Sequence, residues 1–141
     1  MKVLFDTNVI IDAFTMRDYD YKDSRDLLIK AANKEIDGYV SAKQITDIYY
    51  ILRKYVNGEQ IKKSIIKDLC SIFTVLPVLP SDIRASLNTE IDDFEDALIE
   101  ETAKVNMVQY IVTHDVKHFA KSKLIICTPH ELLTLLNAME Q

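Results

Sequence analysis

Lys2-Val3-Leu4-Phe5-Asp6-Thr7-Asn8-Val9-Ile10-Ile11-Asp12 runs from one apolar block through three polar residues into a second. Residues 2 to 6 read as a buried strand. Val9 to Phe14 read as a short helix whose first turn a hydroxyl or amide can cap. Asp6 is thereby set where a strand hands over to a helix. Asp115 follows Ile111-Val112-Thr113 in the same way, so both acids are expected at carboxyl ends of strands, where open α/β sheets hold their ligands.

Between these two points strands and helices alternate. Leu27, Leu28, Ala31, Ala32 and Ile36 keep helical spacing from Ser24, and Asp37-Gly38 is expected to stop that helix before a short strand, Tyr39 to Ser41. A polar, tyrosine-bearing stretch, Arg17 to Lys22, precedes it. Ile45, Ile48, Tyr49 and Leu52 share a face of a helix over 43–55, and a further helix is read from Glu59 to about Phe73. Val75 to Leu79 is β-like but carries Pro77, which predicts an edge strand. Ser81 to about Leu87 and Asp93 to Asn106 read as helices, Tyr110 to Thr113 and Leu124 to Cys127 as strands, and Pro129 opens a last helix through Met139. The alternation predicts a three-layer α/β/α sandwich with a mostly parallel central sheet.

With 141 residues, 48% hydrophobic composition, two glycines and three prolines, the chain is expected to form a single domain over residues 1–141. No stretch approaches the roughly 20 apolar residues that cross a bilayer, and no signal-like block is read at the start, so a soluble, cytoplasmic protein without membrane contact is expected. Cys70 and Cys127 lie among apolar residues without metal or disulfide spacing and are read as buried free thiols. A net charge of −5 disfavours a broad basic surface. The four positive charges of two divalent cations in an acidic cluster would offset most of it, so a phosphodiester substrate stays open.

The acids are the informative set. In Asp92-Asp93-Phe94-Glu95-Asp96-Ala97-Leu98-Ile99-Glu100, helical geometry turns Phe94, Ala97, Leu98 and Val105 to the core and lines Asp93, Asp96 and Glu100 along one flank. The helix dipole accounts for first-turn acids, but Asp96 and Glu100 repel their neighbours, which points to a cation. Asp47 sits at the margin of its helix's buried face. Judged singly, Asp6 and Asp115 can be ordinary helix caps and Asp47 a solvated surface acid; their coincidence at one sheet edge suggests a metal site. His114 and His118, four apart, can clasp zinc in a helix, but no third ligand follows, and surface or phosphate-contacting roles fit them better.

Phe5-Asp6-Thr7-Asn8-Val9-Ile10-Ile11-Asp12, Asp93-Phe94-Glu95-Asp96-Ala97-Leu98 and Tyr110-Ile111-Val112-Thr113-His114-Asp115 through Phe119, in that order, resemble the PIN-domain ribonucleases. The resemblance covers nearly the whole chain and implies a PIN-like fold and a magnesium- or manganese-dependent endoribonuclease, often the toxin of a toxin-antitoxin pair, similar to the VapC toxins. Asp6, Asp47, Asp96 and Asp115 match the family's acidic quartet, and Thr7, Asn8 and Thr113 its polar neighbours; Asp93 is a fifth acid at the rim. The middle-helix acid is commonly Glu, so the shorter Asp47 departs from the pattern and favours a water-mediated contact there. RNA as substrate, an antitoxin protein as partner and association into a homodimer are further implications.

All-oxygen donors favour Mg²⁺ or Mn²⁺. On this reading Asp6, Asp96 and Asp115 hold metal with Asp93 beside them, Asp47 holds metal or orients water, and Thr7, Asn8 and Thr113 position phosphate or carboxylates. Lys43, Arg53, Lys117 and Lys121 are candidates for guiding the RNA backbone. A competing reading is a catalytically weak PIN-like module that binds RNA or protein without cutting. A phosphotransfer domain would want a second Asp beside Asp6, where Thr7 and Asn8 stand.

Overall fold

The computed structural model describes residues 1–16 and 21–141; positions 17–20 of the polar stretch read from Arg17 to Lys22 lie outside the described residues. Among the described residues five strands, β1 (Lys2–Phe5), β2 (Asp37–Ser41), β3 (Thr74–Leu76), β4 (Tyr110–Val112) and β5 (Ile125–Cys127), form one parallel sheet in the order β3-β2-β1-β4-β5. Between them lie α1 (Thr7–Thr15), α2 (Tyr21–Ala32), α3 (Ala42–Leu52), α4 (Glu59–Ile72), α5 (Pro80–Ser86) and α6 (Phe94–Val105), with a 3-10 turn at Val116–Phe119, and α7 (Pro129–Met139) follows β5. The expected three-layer α/β/α sandwich is the observed one.

The continuous apolar run of β1 reflects its place at the centre of the sheet. Val3 and Phe5 pack on one face with Val9 and Ile10 of α1, Leu27 of α2, Ile48 of α3 and Leu132 of α7. Leu4 packs on the other with Ala97, Ile99 and Ala103 of α6. A strand buried on both sides has no polar face to alternate with, so its side chains read as an unbroken block. Each of the large side chains contributes about 1.5–3 kcal/mol through burial.

From β1 the chain winds outward through β2 to β3, then crosses back to β4 and β5. The winding therefore reverses between β1 and β4, which pair through Val3↔Tyr110 and Phe5↔Val112. Helices on either side diverge at such a reversal and leave a crevice beyond the carboxyl ends of the two strands. Asp6 and Thr113 are the residues that follow those ends.

Several local expectations give way to packing. The α2 helix stops at Ala32 rather than at Asp37-Gly38. Lys34 takes the left-handed conformation (φ 60°), and the Glu35 amide closes on the Lys30 carbonyl at 2.9 Å. The Lys34 ammonium then donates to the Ser71 and Ile72 carbonyls at 3.1 and 3.0 Å, satisfying the end of α4. Asp37 and Gly38 belong instead to β2. In α6, Phe94 and Val105 are exposed at the two ends and Ala97 to Ala103 form the buried section, so the expected core face was too long. Cys70 is exposed, against the expectation of burial, while Cys127 is buried. Pro77 follows directly on β3, which lies at the sheet edge as the sequence predicts. No helix among the described residues is long and apolar enough to cross a membrane.

Gly38 has a steric reason to be glycine. A Cβ there would stand 2.7 and 2.9 Å from two ring carbons of Phe73 and 3.2 Å from the Ala31 Cβ. Phe73 cannot easily yield, because it is buried and packs edge-on against Phe5 with ring centroids 4.9 Å apart. Gly38→Ala is expected to destabilise the fold by about 1–3 kcal/mol through overpacking, read as a lower urea midpoint with an unchanged slope.

Candidate active site

Asp6 follows β1 with an extended backbone and caps α1, so its carboxylate is fixed by the same local geometry that starts the helix. Its Oδ1 accepts from the Thr7 amide at 2.8 Å and its Oδ2 from the Thr113 hydroxyl at 2.7 Å. That hydroxyl, fully buried, in turn accepts from the Asp115 amide at 2.9 Å. The Asn8 side-chain amide donates to Asp115 Oδ2 at 3.0 Å, and Asn8 Oδ1 accepts from the His114 amide at 3.4 Å. One threonine and one asparagine thus stitch the end of β1 to the end of β4. Asp6 is 8% exposed, and burial, reinforced by the nearby Asp115 charge, holds its carboxyl above the usual aspartate range despite the Thr113 and Thr7 hydrogen bonds.

Asp96 comes from the first turn of α6, whose cap is Asp93: the Asp93 carboxylate accepts from the Asp96 amide at 3.1 Å. Burial first, then the charges of Asp93 and Asp6, push the Asp96 carboxyl up to about 7, with His118 opposing them. His118, in the 3-10 turn, places Nδ1 3.7 Å from Asp96 and 4.0 Å from Asp115. Asp6, Asp96 and Asp115 therefore converge electrostatically from three elements. Glu100, expected to extend the same acidic row, is buried to 3% exposure, and its Oε2 has no hydrogen-bond partner among the described residues.

A cleft of about 250 Å³ is lined by Asp6, Thr7, Lys43, Asp47, Tyr50 and Asp96, among others. Asp47 thus reaches the same cleft as Asp6 and Asp96, but its carboxylate is 2.7 Å from the Lys43 ammonium, which also lies 3.3 Å from Glu95. A second hollow of about 510 Å³ shares Asp96 and is walled by Asp93, Lys117, His118 and Lys121. Lys43 is consequently engaged in ion pairs at the cleft, Lys117 and Lys121 flank the neighbouring hollow, and Arg53 stacks on Tyr50 at 4.1 Å.

Two supporting elements escaped the sequence reading. Gln44 is almost fully buried; its amide donates to the Phe5 carbonyl at 2.7 Å and its oxygen accepts from the Ser41 amide at 2.8 Å, which locks α3 to the end of β1. Ser41-Ala-Lys-Gln44 carries the capping-box pattern that signals this. His114, which looked like a surface residue, is largely buried and sits 2.7 Å from the buried Asp12 and 3.3 Å from the Ser24 hydroxyl. It braces α1 and α2, while His118 turns to Asp96, so the two histidines do not form a zinc clasp.

Among the described residues, no three His, Cys, Asp or Glu side chains stand ready to hold an ion as placed. The donor chemistry nonetheless fits a hard divalent cation. The converging donors are carboxylate oxygens; burial first, and neighbouring carboxylates second, raise Asp6 and Asp96, and that repulsion is one a cation would relieve. The Asp47 carboxylate fits less directly, being turned to Lys43.

The PIN domain family model matches residues 2–117, and the chain belongs to that family. It is 28% identical over 144 positions to Ribonuclease VapC1 of Aquifex aeolicus (strain VF5), an alignment spanning 98% of this chain and 97% of that protein. Among solved structures it is similar to VapBC2 from Rickettsia felis bound to a DNA fragment from their promoter, with a TM-score of 0.68, 18% identity and 91% and 98% of the two chains covered. A toxin-antitoxin complex from Klebsiella pneumoniae gives a TM-score of 0.68 at 22% identity over 92% and 98%. At such identities the structural likeness speaks for the fold.

The raised Asp96 carboxyl has a signed effect on stability. The folded state binds its proton more tightly than the unfolded chain, so the contribution is full below the ordinary aspartate pKa of 3.8 and is lost as pH rises through about 7. In EDTA, the melting temperature of Asp96→Asn is expected to gain on that of the wild type steadily between those two pH values, and then to level off.

Proposed function

We propose that the chain is a divalent-metal-dependent endoribonuclease that hydrolyses RNA phosphodiester bonds. We read it as one PIN-like domain over residues 1–141, acting in the cytoplasm as the toxin held in check by an antitoxin protein. The observation that carries this reading is the convergence of Asp6, Asp96 and Asp115 beside the β1/β4 reversal. The name of the Aquifex relative, a ribonuclease, and the description of the Klebsiella neighbour, a toxin-antitoxin complex, support it.

On this reading Asp6, Asp96 and Asp115 hold Mg²⁺ or Mn²⁺, with Asp93 adding negative charge at the rim. Bound there, the cation supplies Lewis acidity that activates water and neutralises charge developing at phosphorus. Thr113 and Asn8 keep Asp6 and Asp115 aimed, and Thr7 offers an oxygen beside them. Asp47 orients the attacking water when Lys43 turns toward a phosphate instead. Lys117 and Lys121 attract the RNA backbone along the adjoining hollow, a role that should weaken with salt. Self-association into a homodimer is part of the proposal, supported by the exposed apolar side chains of Leu79, Ile83 and Leu87 on and beside α5.

The Lys43–Asp47 ion pair favours a second reading, a module that binds RNA or protein without cutting it. The two separate cleanly. For the nuclease, Asp6→Asn and Asp96→Asn each abolish Mn²⁺-dependent cleavage of single-stranded RNA while melting cooperatively; full activity in both variants would refute it. Millimolar Mg²⁺ or Mn²⁺ should raise the melting temperature of the wild type and do so much less for Asp96→Asn, because the ion binds the folded state and relieves carboxylate repulsion.

A further inference from the structure

The 250 Å³ cleft holds an aromatic group that the metal chemistry leaves unused. Tyr50, on α3, lines it together with Asp6, Asp47 and Asp96, yet is 61% exposed. A ring left this exposed contributes little to folding through burial. The other two tyrosines of this region are differently committed. Tyr49 gives its hydroxyl to Glu59 and its ring face to the Lys62 ammonium at 5.3 Å. Tyr55 lines a separate hollow with Phe14, Leu52 and Ile65.

Tyr50 is also paired with a neighbour on its own helix. The Arg53 guanidinium stacks over its ring 4.1 Å from the centroid, and the same guanidinium donates to its hydroxyl at 2.7 Å. Both residues lie on the last turn of α3 and its cap, so the pair is built on a rigid element. A ring backed by a cation on one side, still largely accessible and fixed in orientation, is the arrangement that stacks a nucleobase at low entropic cost. The cation beside it attracts the adjoining phosphate.

The geometry points to Tyr50 as a base-stacking platform that grips one unpaired nucleotide next to the phosphodiester presented to Asp6 and Asp96, with Arg53 as its positioning residue. This rests on the nuclease reading and refines it. The substrate is single-stranded at that position, because a base in a duplex has no free face to offer the ring. Every base has a π face, so the platform sets the strand's register in the cleft without choosing the base. Arg53 acts through the ring and through charge. Arg53→Lys keeps the charge but loses the planar stack, and is expected to weaken binding in the same direction as loss of the ring, but less.

The test uses the full chain carrying Asp6→Asn, so that RNA stays intact, in Mg²⁺. Fluorescence anisotropy reads the binding of a labelled single-stranded oligoribonucleotide of mixed sequence, and of a series in which each member lacks one base. Replacing Tyr50 by Ala or Leu is expected to weaken binding of the intact strand by about 5- to 150-fold, with Tyr50→Phe recovering most of it. One abasic position should cost the parent protein a similar factor and cost the Tyr50→Ala protein nothing further. Unchanged binding and an unchanged abasic pattern in both Tyr50→Ala and Tyr50→Leu overturn the platform while leaving the nuclease reading intact. The platform falls equally if those variants bind RNA normally and instead lose self-association, since the ring then serves a protein contact. If the Asp6→Asn parent binds no RNA in the series, and the wild type cuts none, the nuclease reading itself fails, and the platform with it.

Discussion

The Thr113 hydroxyl is the contact on which the site depends. It donates to the Asp6 carboxylate and accepts from the Asp115 amide, so a single buried oxygen ties the Asp6 side chain to the backbone at Asp115 across two strand ends already paired by the ladder. A buried donor that lost its acceptor would leave a polar group unsatisfied, at a cost of about 1–3 kcal/mol. The two acids are therefore kept in register by the same energy that keeps the core dry. The arrangement requires that β1 and β4 be direct neighbours, which the strand order provides.

What this framework holds in place is electrostatically uncomfortable. Asp6 and Asp96 are partly withdrawn from water, and the Asp6 charge helps to raise the Asp96 carboxyl while that of Asp115 helps to raise Asp6. The fold tolerates this because it compensates elsewhere. Helix α1 gains its cap from Asp6 and α6 gains its cap from Asp93, while Asn8, Gln44 and His114 supply further hydrogen bonds around the rim. Residues that start helices also crowd the negative charge, so the local structure and the crowding have one origin. Such a cluster has a built-in affinity for a positive partner.

Much of this was legible in the chain. The unbroken apolar blocks at Val3-Leu4-Phe5 and Ile111-Val112, each followed by polar residues and an acid, located both central strands and the sheet edge that matters. Period and punctuation also gave α7, whose Pro129 start and Met139 end match the structure. The misreadings arose where a distant contact outweighed a local signal. Gly38 looked like a helix stop but is small because Phe73 lies against it; Lys34 ends the helix because its ammonium finds the end of α4. The burial of His114 could not be read, since its partners Asp12 and Ser24 come from helices far away in sequence. The pairing of Asp47 with Lys43 was in principle visible as an i,i+4 spacing of opposite charges.

The two borders of the sheet, β3 and β5, are each only three residues long. An open parallel sheet exposes unpaired amides and carbonyls at both rims, and these can template the addition of strands from other molecules. Here Pro77 cuts one rim short and Thr128-Pro129 starts a helix directly after the other, so little backbone is left for a foreign strand to zip onto. In a chain that is nearly half apolar, brevity at the margins leaves few free backbone groups for edge-to-edge association.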